Sequence, residues 1–226
     1  MTPFGIAFHH ATQHGVLTSV HIPDSPEPVP DTVLSQLASD EADLARQLRG
    51  YSQVQFVGGR IALRRACEQL GVRPPALLRD DRGAPVLPEG MVGSISHKRT
   101  LAVAMVASAR GGSLGVDLEE YGPPRLGIEG HVLTESESKA VAPLPDPRKW
   151  TSILIRFSIK ESIYKALDPY VRRYVGFHEA IVTPDLHGNA RVELNLKGGE
   201  GPFEADARYE WLHGKLLTSV RIRPAK

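Results

Sequence analysis

The chain has 226 residues, enough for one large domain or two small ones with a real core. Lys and Arg number 27 against 26 Asp and Glu, and the resulting net charge of +1 argues against a protein built chiefly to hold nucleic acid or an anionic membrane. The single cysteine, Cys67, excludes an internal disulfide framework and points to a reducing cytoplasm, while no run of about 18 apolar residues offers a membrane span. The opening "MTPFGIAFHH" has no basic start followed by an apolar run, so no signal peptide is expected.

In chain order, "HIPDSPEPVPD" reads as a Pro-rich surface loop. The spacing of Val33, Leu34, Leu37, Leu44 and Leu48 predicts one helix over 31–48, with Asp31 as its N-cap. A second helix is expected over 54–70, stopped by Gly71 and the prolines beyond. A loop follows over 77–90. "MVGSISH" and "TLAVAMVAS" have the small and β-branched content of buried strands, and "RGG" separates them from a third, "SLGVDLEE". A seam between two halves is expected near Ala109–Ser113. "TESE" (Thr134 to Glu137) is a capping box that opens a short helix. "PDPRKW" opens a longer one, with Asp146 as N-cap and Pro147 in the first turn. From Phe177 onward the pattern is mostly strand, with "HG" at 187–188 and 213–214 as turns.

Three carboxylates carry the chemistry. An extended "LGVDLEE" sends Leu114, Val116 and Leu118 to one face and Asp117 and Glu119 to the other, their Cα atoms roughly 6.5–7 Å apart. The plain reading is a strand with one wet face. The sharper reading is a pair of hard oxygen ligands for Mg²⁺ or Mn²⁺. Glu161 is the third acid. Trp150, Leu154, Phe157 and Tyr164 lie at helical spacing on one stripe, and Glu161 falls on the same stripe. An acid on an apolar face must be paired, protonated or metal-bound. A Glu161–Lys165 helix pair would explain the charge but not its placement, whereas a divalent ion shared with the strand acids explains both. Lys160 and Lys165 would then meet substrate anions. Magnesium held by few carboxylates completes its shell with waters and phosphates, so the residue types suggest metal-assisted attack on phosphorus. Neither a Walker-type loop nor G-x-G-x-x-G is present. Side chains must therefore grip the phosphates, with Arg60, Arg64, Arg79, Arg82 and His97 as candidates.

"GVDLEE", followed about forty residues later by "FSIKESIYKAL", resembles the paired signature of the Sfp-type 4′-phosphopantetheinyl transferases. "RGAPVLPEGMVGSISH" and "FVGGRIALRRA" upstream are similar to two further blocks of that family, in the same order, so the resemblance runs from about Gly50 to Gly176. It implies an α+β fold of two similar halves in pseudo-twofold relation, with the active site in the cleft between them. Residues 1–110 would hold the nucleotide end of coenzyme A, and 111–226 the Mg²⁺ site and catalytic helix. It implies Asp117, Glu119 and Glu161 as Mg²⁺ ligands, with Mn²⁺ as an alternative. Glu161, directly or through a metal-bound water, would be the base for the acceptor serine. Lys165 would contact the pyrophosphate and assist catalysis, and Lys160 would be a further coenzyme A contact. Ser96 and His97 would touch the nucleotide end, and Arg60, Arg79 and Arg82 its phosphates. The implied reaction moves the phosphopantetheine arm of coenzyme A to a serine of apo acyl or peptidyl carrier domains. A cytoplasmic monomer is expected, with no nucleic acid and no membrane as partner.

The chain departs from the family at "YSQVQF", where Ser52, Gln53 and Gln55 replace a basic pair and an acid, and at Lys98, where a small residue is usual. His9, His10 and His14 have no neighbouring Cys or acid in sequence to complete a metal set and read as loop histidines. Ser96 and His97 are adjacent on a strand and point to opposite faces, which disfavours a hydrolase pair. Cys67 reads as a core residue. Two other classes remain open: a divalent-metal nuclease, which the near-neutral charge disfavours, and a non-catalytic module binding coenzyme A or carriers, which the intact acids and Lys165 disfavour.

Overall fold

The computed structural model describes residues 2–125 and 127–225. They form two compact units that divide between Arg110 and Gly111. Both units are mixed α and β, each with one long helix packed on one antiparallel sheet.

The first unit begins with a hairpin of β1 (Ile6–Ala11) and β2 (Val16–His21). Thr12 shapes its turn, because its hydroxyl accepts from the N–H groups of His14 and Gly15. Then come α1 (Asp31–Leu34), α2 (Ser39–Gln47) and α3 (Gly50–Gln69), followed by β3 (Met91–Lys98) and β4 (Leu101–Ser108). The sheet order is β1-β2-β4-β3. The single helix expected over 31–48 is broken. Glu41, with 0% exposure, folds back to accept from the Ala38 N–H at 2.9 Å and the Leu77 N–H at 2.6 Å, and it pairs with Arg64 at 2.9 Å. A carboxylate this deep needs every one of those donors, and together they fix a new helix start at Ser39. Pro30, not Asp31, occupies the N-cap position of α1. The N-terminal hairpin places His9 and His10 on a strand instead of a loop.

The second unit holds β5 (Ser113–Glu120), α4 (Ile128–Val132), α5 (Glu135–Val141), α6 (Asp146–Val171), β6 (Ala180–Pro184), β7 (Asn189–Leu194), β8 (Phe203–Leu212) and β9 (Lys215–Pro224). Its sheet order is β5-β9-β8-β7-β6. The capping box forms as expected: Thr134 Oγ1 accepts from Glu137 N–H, and Glu137 accepts from Thr134 N–H at 2.7 Å. Helix α6 starts at Asp146 with Pro145 as N-cap, one residue before the expected cap. It ends as Pro169 removes a donor and Arg172 turns left-handed at φ 47°. His213 and Gly214, at φ 49° and 75°, form the two-residue turn between β8 and β9, matching the strand twist. The fully buried Ile153, Leu154, Ile159, Ile163 and Leu167 of α6 anchor the core, each contributing about 1.5–3 kcal/mol. No helix among the described residues is long and apolar enough to cross a membrane.

Candidate active site

In the second unit, α6 lies against β5 and β9 with an unusually polar contact. Gly115 makes it possible: a Cβ there would sit 1.9 Å from the Ser162 carbonyl oxygen. Because side chains alternate along a strand, Ser113, Gly115, Asp117 and Glu119 share the face that α6 covers. Ser113 donates to the Ala166 carbonyl at 2.5 Å, and Asp117 accepts from Ser158 at 2.8 Å. The acid face is thus buried, not wet, with Asp117 at 5% exposure and Glu119 at 2%. Alternation predicts which residues share a face, but not that a helix will cover it.

Asp117 is held from two sides. Lys165 donates to its Oδ1 at 3.1 Å and to the Val116 carbonyl at 2.8 Å. Ser158 donates to its Oδ2. An ionised carboxylate only accepts, so this contact sets the direction of a buried hydroxyl chain. Ser158 spends its hydrogen on Asp117. Thr218, the cross-strand partner of Asp117, donates to the Ser158 carbonyl at 2.9 Å. Ser162 then donates to Thr218 Oγ1 at 2.8 Å. Glu119 is paired with Arg125, whose Nη2 lies 2.9 Å from Oε2. Arg125 also rests over the Phe157 ring, 5.5 Å from its centroid. Lys165 therefore turns to the strand acid, not along its own helix.

Glu161 lies half-buried on α6. Its stripe begins in the core at Trp150 and Leu154 and emerges to half-exposure at Phe157 and Tyr164, so Glu161 sits on a flank of the helix and not on its fully apolar side. Among the described residues no three Asp, Glu, His or Cys side chains are grouped as a metal cage. The pair Asp117 and Glu119 nonetheless suits Mg²⁺ by its donor chemistry: two hard carboxylates on one strand face, both largely dehydrated and each balanced by a cation. Magnesium takes one or two protein carboxylates and leaves the rest of its shell to water and phosphate.

Lys160 does not join this group. Its ammonium is 1% exposed, 2.6 Å from Glu137 and 2.8 Å from the Val132 carbonyl. Burial pushes its pKa down, and the hydrogen bond to Glu137 opposes that shift. Glu137 also accepts from the Val182 N–H at 2.8 Å, so Lys160 tightens the core instead of reaching an outside anion. Spacing alone could not show this, because the partner lies 23 residues away on another helix.

The arginines expected to meet phosphates lie in the first unit. Arg60, on α3, is 4% exposed, stacks over Phe56 at 4.6 Å and donates to the Leu78 carbonyl at 3.2 Å. Burial lowers its guanidinium to about 10. Arg79 and Arg82 are exposed in the following loop, where Arg79 bridges to Pro85. Ser96 is buried on β3 and His97 exposed beside it, on opposite faces. Lys98 closes the same strand, half-buried. Arg64 is committed to Glu41 and the Pro74 and Pro75 carbonyls, so it is structural. Gln53 accepts from Val29 N–H at 2.9 Å and donates to the Ala45 carbonyl at 3.0 Å. It clips the Pro-rich loop to α2. Sequence reasoning did not foresee that role, nor the parts of Ser158, Ser162, Thr218 and Arg125; only the small polar residues at i, i+4 on α6 hinted at a polar helix face.

Comparison with known proteins places this architecture in a class of transferases. The 4′-phosphopantetheinyl transferase N-terminal domain matches residues 40–107, and the 4′-phosphopantetheinyl transferase superfamily matches residues 113–219. The chain is 36% identical to 4′-phosphopantetheinyl transferase Svp of Streptomyces mobaraensis over 85% of its own length and 81% of that protein. It is 33% identical to 4′-phosphopantetheinyl transferase PptT of Mycobacterium tuberculosis, covering 81% of this chain and 78% of that one. With 4′-phosphopantetheinyl transferase Npt of Nocardia iowensis the identity is 30%, covering 73% and 80%. The chain belongs to the 4′-phosphopantetheinyl transferase superfamily, and within it to the Sfp type whose ordered blocks its sequence carries.

Proposed function

We propose that this enzyme transfers the 4′-phosphopantetheine arm of coenzyme A to a serine of apo acyl or peptidyl carrier domains, with Mg²⁺ as its ion. The observation that carries the reading is the buried pair Asp117 and Glu119 beneath α6, with Lys165 alongside, in a chain of this family. Asp117 and Glu119 would hold the ion, with Glu161 as the third acid. The ion, when bound, neutralises charge on the pyrophosphate and on the leaving group. The serine oxygen forms a bond to the phosphorus that bears the pantetheine arm. The bridging P–O bond breaks, and adenosine 3′,5′-bisphosphate leaves. The serine proton passes to Glu161, directly or through a water, since a neutral hydroxyl is a weak nucleophile without a base in reach. Lys165, 26% exposed, retains an open side from which to meet the leaving phosphate. Arg60, Arg79, Arg82, Ser96 and His97 would hold the nucleotide end.

Mass spectrometry of apo-carriers incubated with coenzyme A and Mg²⁺ tests the reading. One phosphopantetheine arm should be added per carrier, and EDTA should stop the addition. Glu161→Gln should lower turnover at least about a hundredfold, the scale of losing a general base, while the protein stays folded by circular dichroism. Undiminished transfer in chelator would remove the metal from this reading, and full activity of the variant would remove Glu161.

A further inference from the structure

The two strand acids are balanced by unlike cations. Lys165 is anchored on a long helix and shares its ammonium between Asp117 and the Val116 carbonyl, so it has a fixed place in the wall. Arg125 comes from the loop that follows β5. Its side chain is 48% exposed, whereas Glu119 beneath it is 2% exposed. Its guanidinium reaches Glu119 with a 2.9 Å hydrogen bond and otherwise rests on the Phe157 ring. That ring is one helical turn before Glu161.

A carboxylate as dehydrated as Glu119 needs a positive partner at all times. A divalent ion bound by Asp117 and Glu119 would bring two more positive charges up to the carboxylate whose Oε2 accepts from Arg125, and two cations cannot share one carboxylate closely without mutual repulsion. We propose that Arg125 is a built-in counterion that stands on Glu119 in the metal-free chain and must release it before a divalent ion binds, so that Arg125 sets the affinity for that ion. This rests on the metal reading above and adds to it a residue outside the signature blocks. The geometry gives the exchange an easy route: Arg125 approaches from solvent and can withdraw into it, while Phe157 supplies a resting surface, so its release disturbs no core packing.

The test is Mn²⁺ binding followed by electron paramagnetic resonance, on the full chain without coenzyme A. Arg125→Gln should tighten Mn²⁺ binding about three- to tenfold, the range expected when a partly exposed charged partner stops competing. Arg125→Lys, which keeps the charge, should bind Mn²⁺ close to wild type. Lys149→Gln removes one positive charge from the Lys149–Glu129 pair elsewhere in the same unit and should shift the affinity less than twofold. Thermal melting supplies a second readout. Arg125→Gln should melt below wild type without metal, and the gap should close at saturating Mn²⁺, because the ion then serves Glu119 in both proteins. A gap of the same size with and without Mn²⁺ would mark Arg125 as merely structural and overturn the proposal. So would equal Mn²⁺ affinity of wild type and Arg125→Gln, or an equal tightening by Lys149→Gln, and in these cases the metal reading survives. If no variant and no wild-type protein binds Mn²⁺, the metal reading and the proposal fall together.

Discussion

Where α3 meets its sheet, the helix glycines Gly58 and Gly59 bring the tightest approach; where α6 meets its sheet, a strand glycine, Gly115, does so. In the first unit, a Cβ at Gly58 would lie 2.2 Å from Ile22 Cγ2, and one at Gly59 would lie 3.0 Å from Ile95 Cγ2. The surfaces brought together are apolar, and the charged groups nearby, Glu41 and Arg64, answer one another at the edge. In the second unit, Gly115 admits the backbone of Ser162, and the contact is lined by Ser158, Ser162, Thr218 and Asp117. In the first arrangement the buried Gln53 and Arg60 of α3 turn to loop and helix backbone, to Val29 and Ala45 and to Leu78. The second must satisfy every hydroxyl and both acids under a helix, a demand that makes sense if the buried carboxylates are the purpose of the contact.

Three experiments would break or sharpen this contrast. The largest effect is expected at Gly115. Alanine there drives a Cβ into backbone, which cannot rotate away, so chemical denaturation should show a loss of about 3 kcal/mol or more, with transfer activity lost as α6 lifts from Asp117. Gly58→Ala meets a side chain instead and gains helix propensity, so its net cost should be about 1 kcal/mol, with activity kept. Equal costs would erase the difference between the two contacts.

A smaller effect separates stability from chemistry. Gln53→Ala leaves the Val29 N–H without its side-chain acceptor and the Ala45 carbonyl with the Leu48 N–H alone, and should cost about 1–3 kcal/mol with turnover unchanged at a temperature where the protein stays folded. Ser158→Ala removes one donor from Asp117 and should cost a similar 1–2 kcal/mol, but should also weaken Mn²⁺ binding. Calorimetry on both variants decides whether the polar contact serves the acid or only the fold.

The mildest effect is a pH slope in the second unit. Arg173 holds the Glu179 carboxyl down to about 2 from an ordinary 4.5, helped by the N–H groups of Lys197 and Gly176. The folded-state value is the lower one, so the contribution is complete above about 4.5 and is lost as pH falls through about 2. Stability between those values should fall by at most about 1.4 kcal/mol per pH unit from this group, and Glu179→Gln should flatten that part of the acid-unfolding profile. An unchanged slope would assign the acid sensitivity to other carboxylates.

What the sequence disclosed was local. The capping box at Thr134, the strands carrying Asp117 and Ser96, and the turn at His213 each rest on a few adjacent residues, so periodicity and turn chemistry sufficed. What it withheld depends on partners distant in the chain. The broken helix before Ser39 needs Glu41 to find Leu77. Lys160 needs Glu137, and the dry face of Asp117 needs a helix that begins nearly thirty residues later. Glu161 falls at helical spacing on the stripe of Trp150 and Leu154, but that stripe surfaces before reaching it, because α6 is buried on more than one side. The β1–β2 hairpin was missed because His9, His10 and Thr12 mask its alternation.

The place of β5 in its sheet has a kinetic consequence. It is an edge strand whose only neighbour in that sheet, among the described residues, is β9, and Asp117 pairs with Thr218 about a hundred residues downstream. Closing a loop of that length is entropically unfavourable and slow compared with forming α6 or the β8–β9 hairpin. During folding, the acid-bearing strand should therefore dock late, after helix and hairpin have made a surface to receive it. The carboxylates would be exposed to water, and mutually tolerant, for most of that search; their burial would be among its final steps. If these acids hold the proposed ion, capacity to bind it should appear only once this strand has docked.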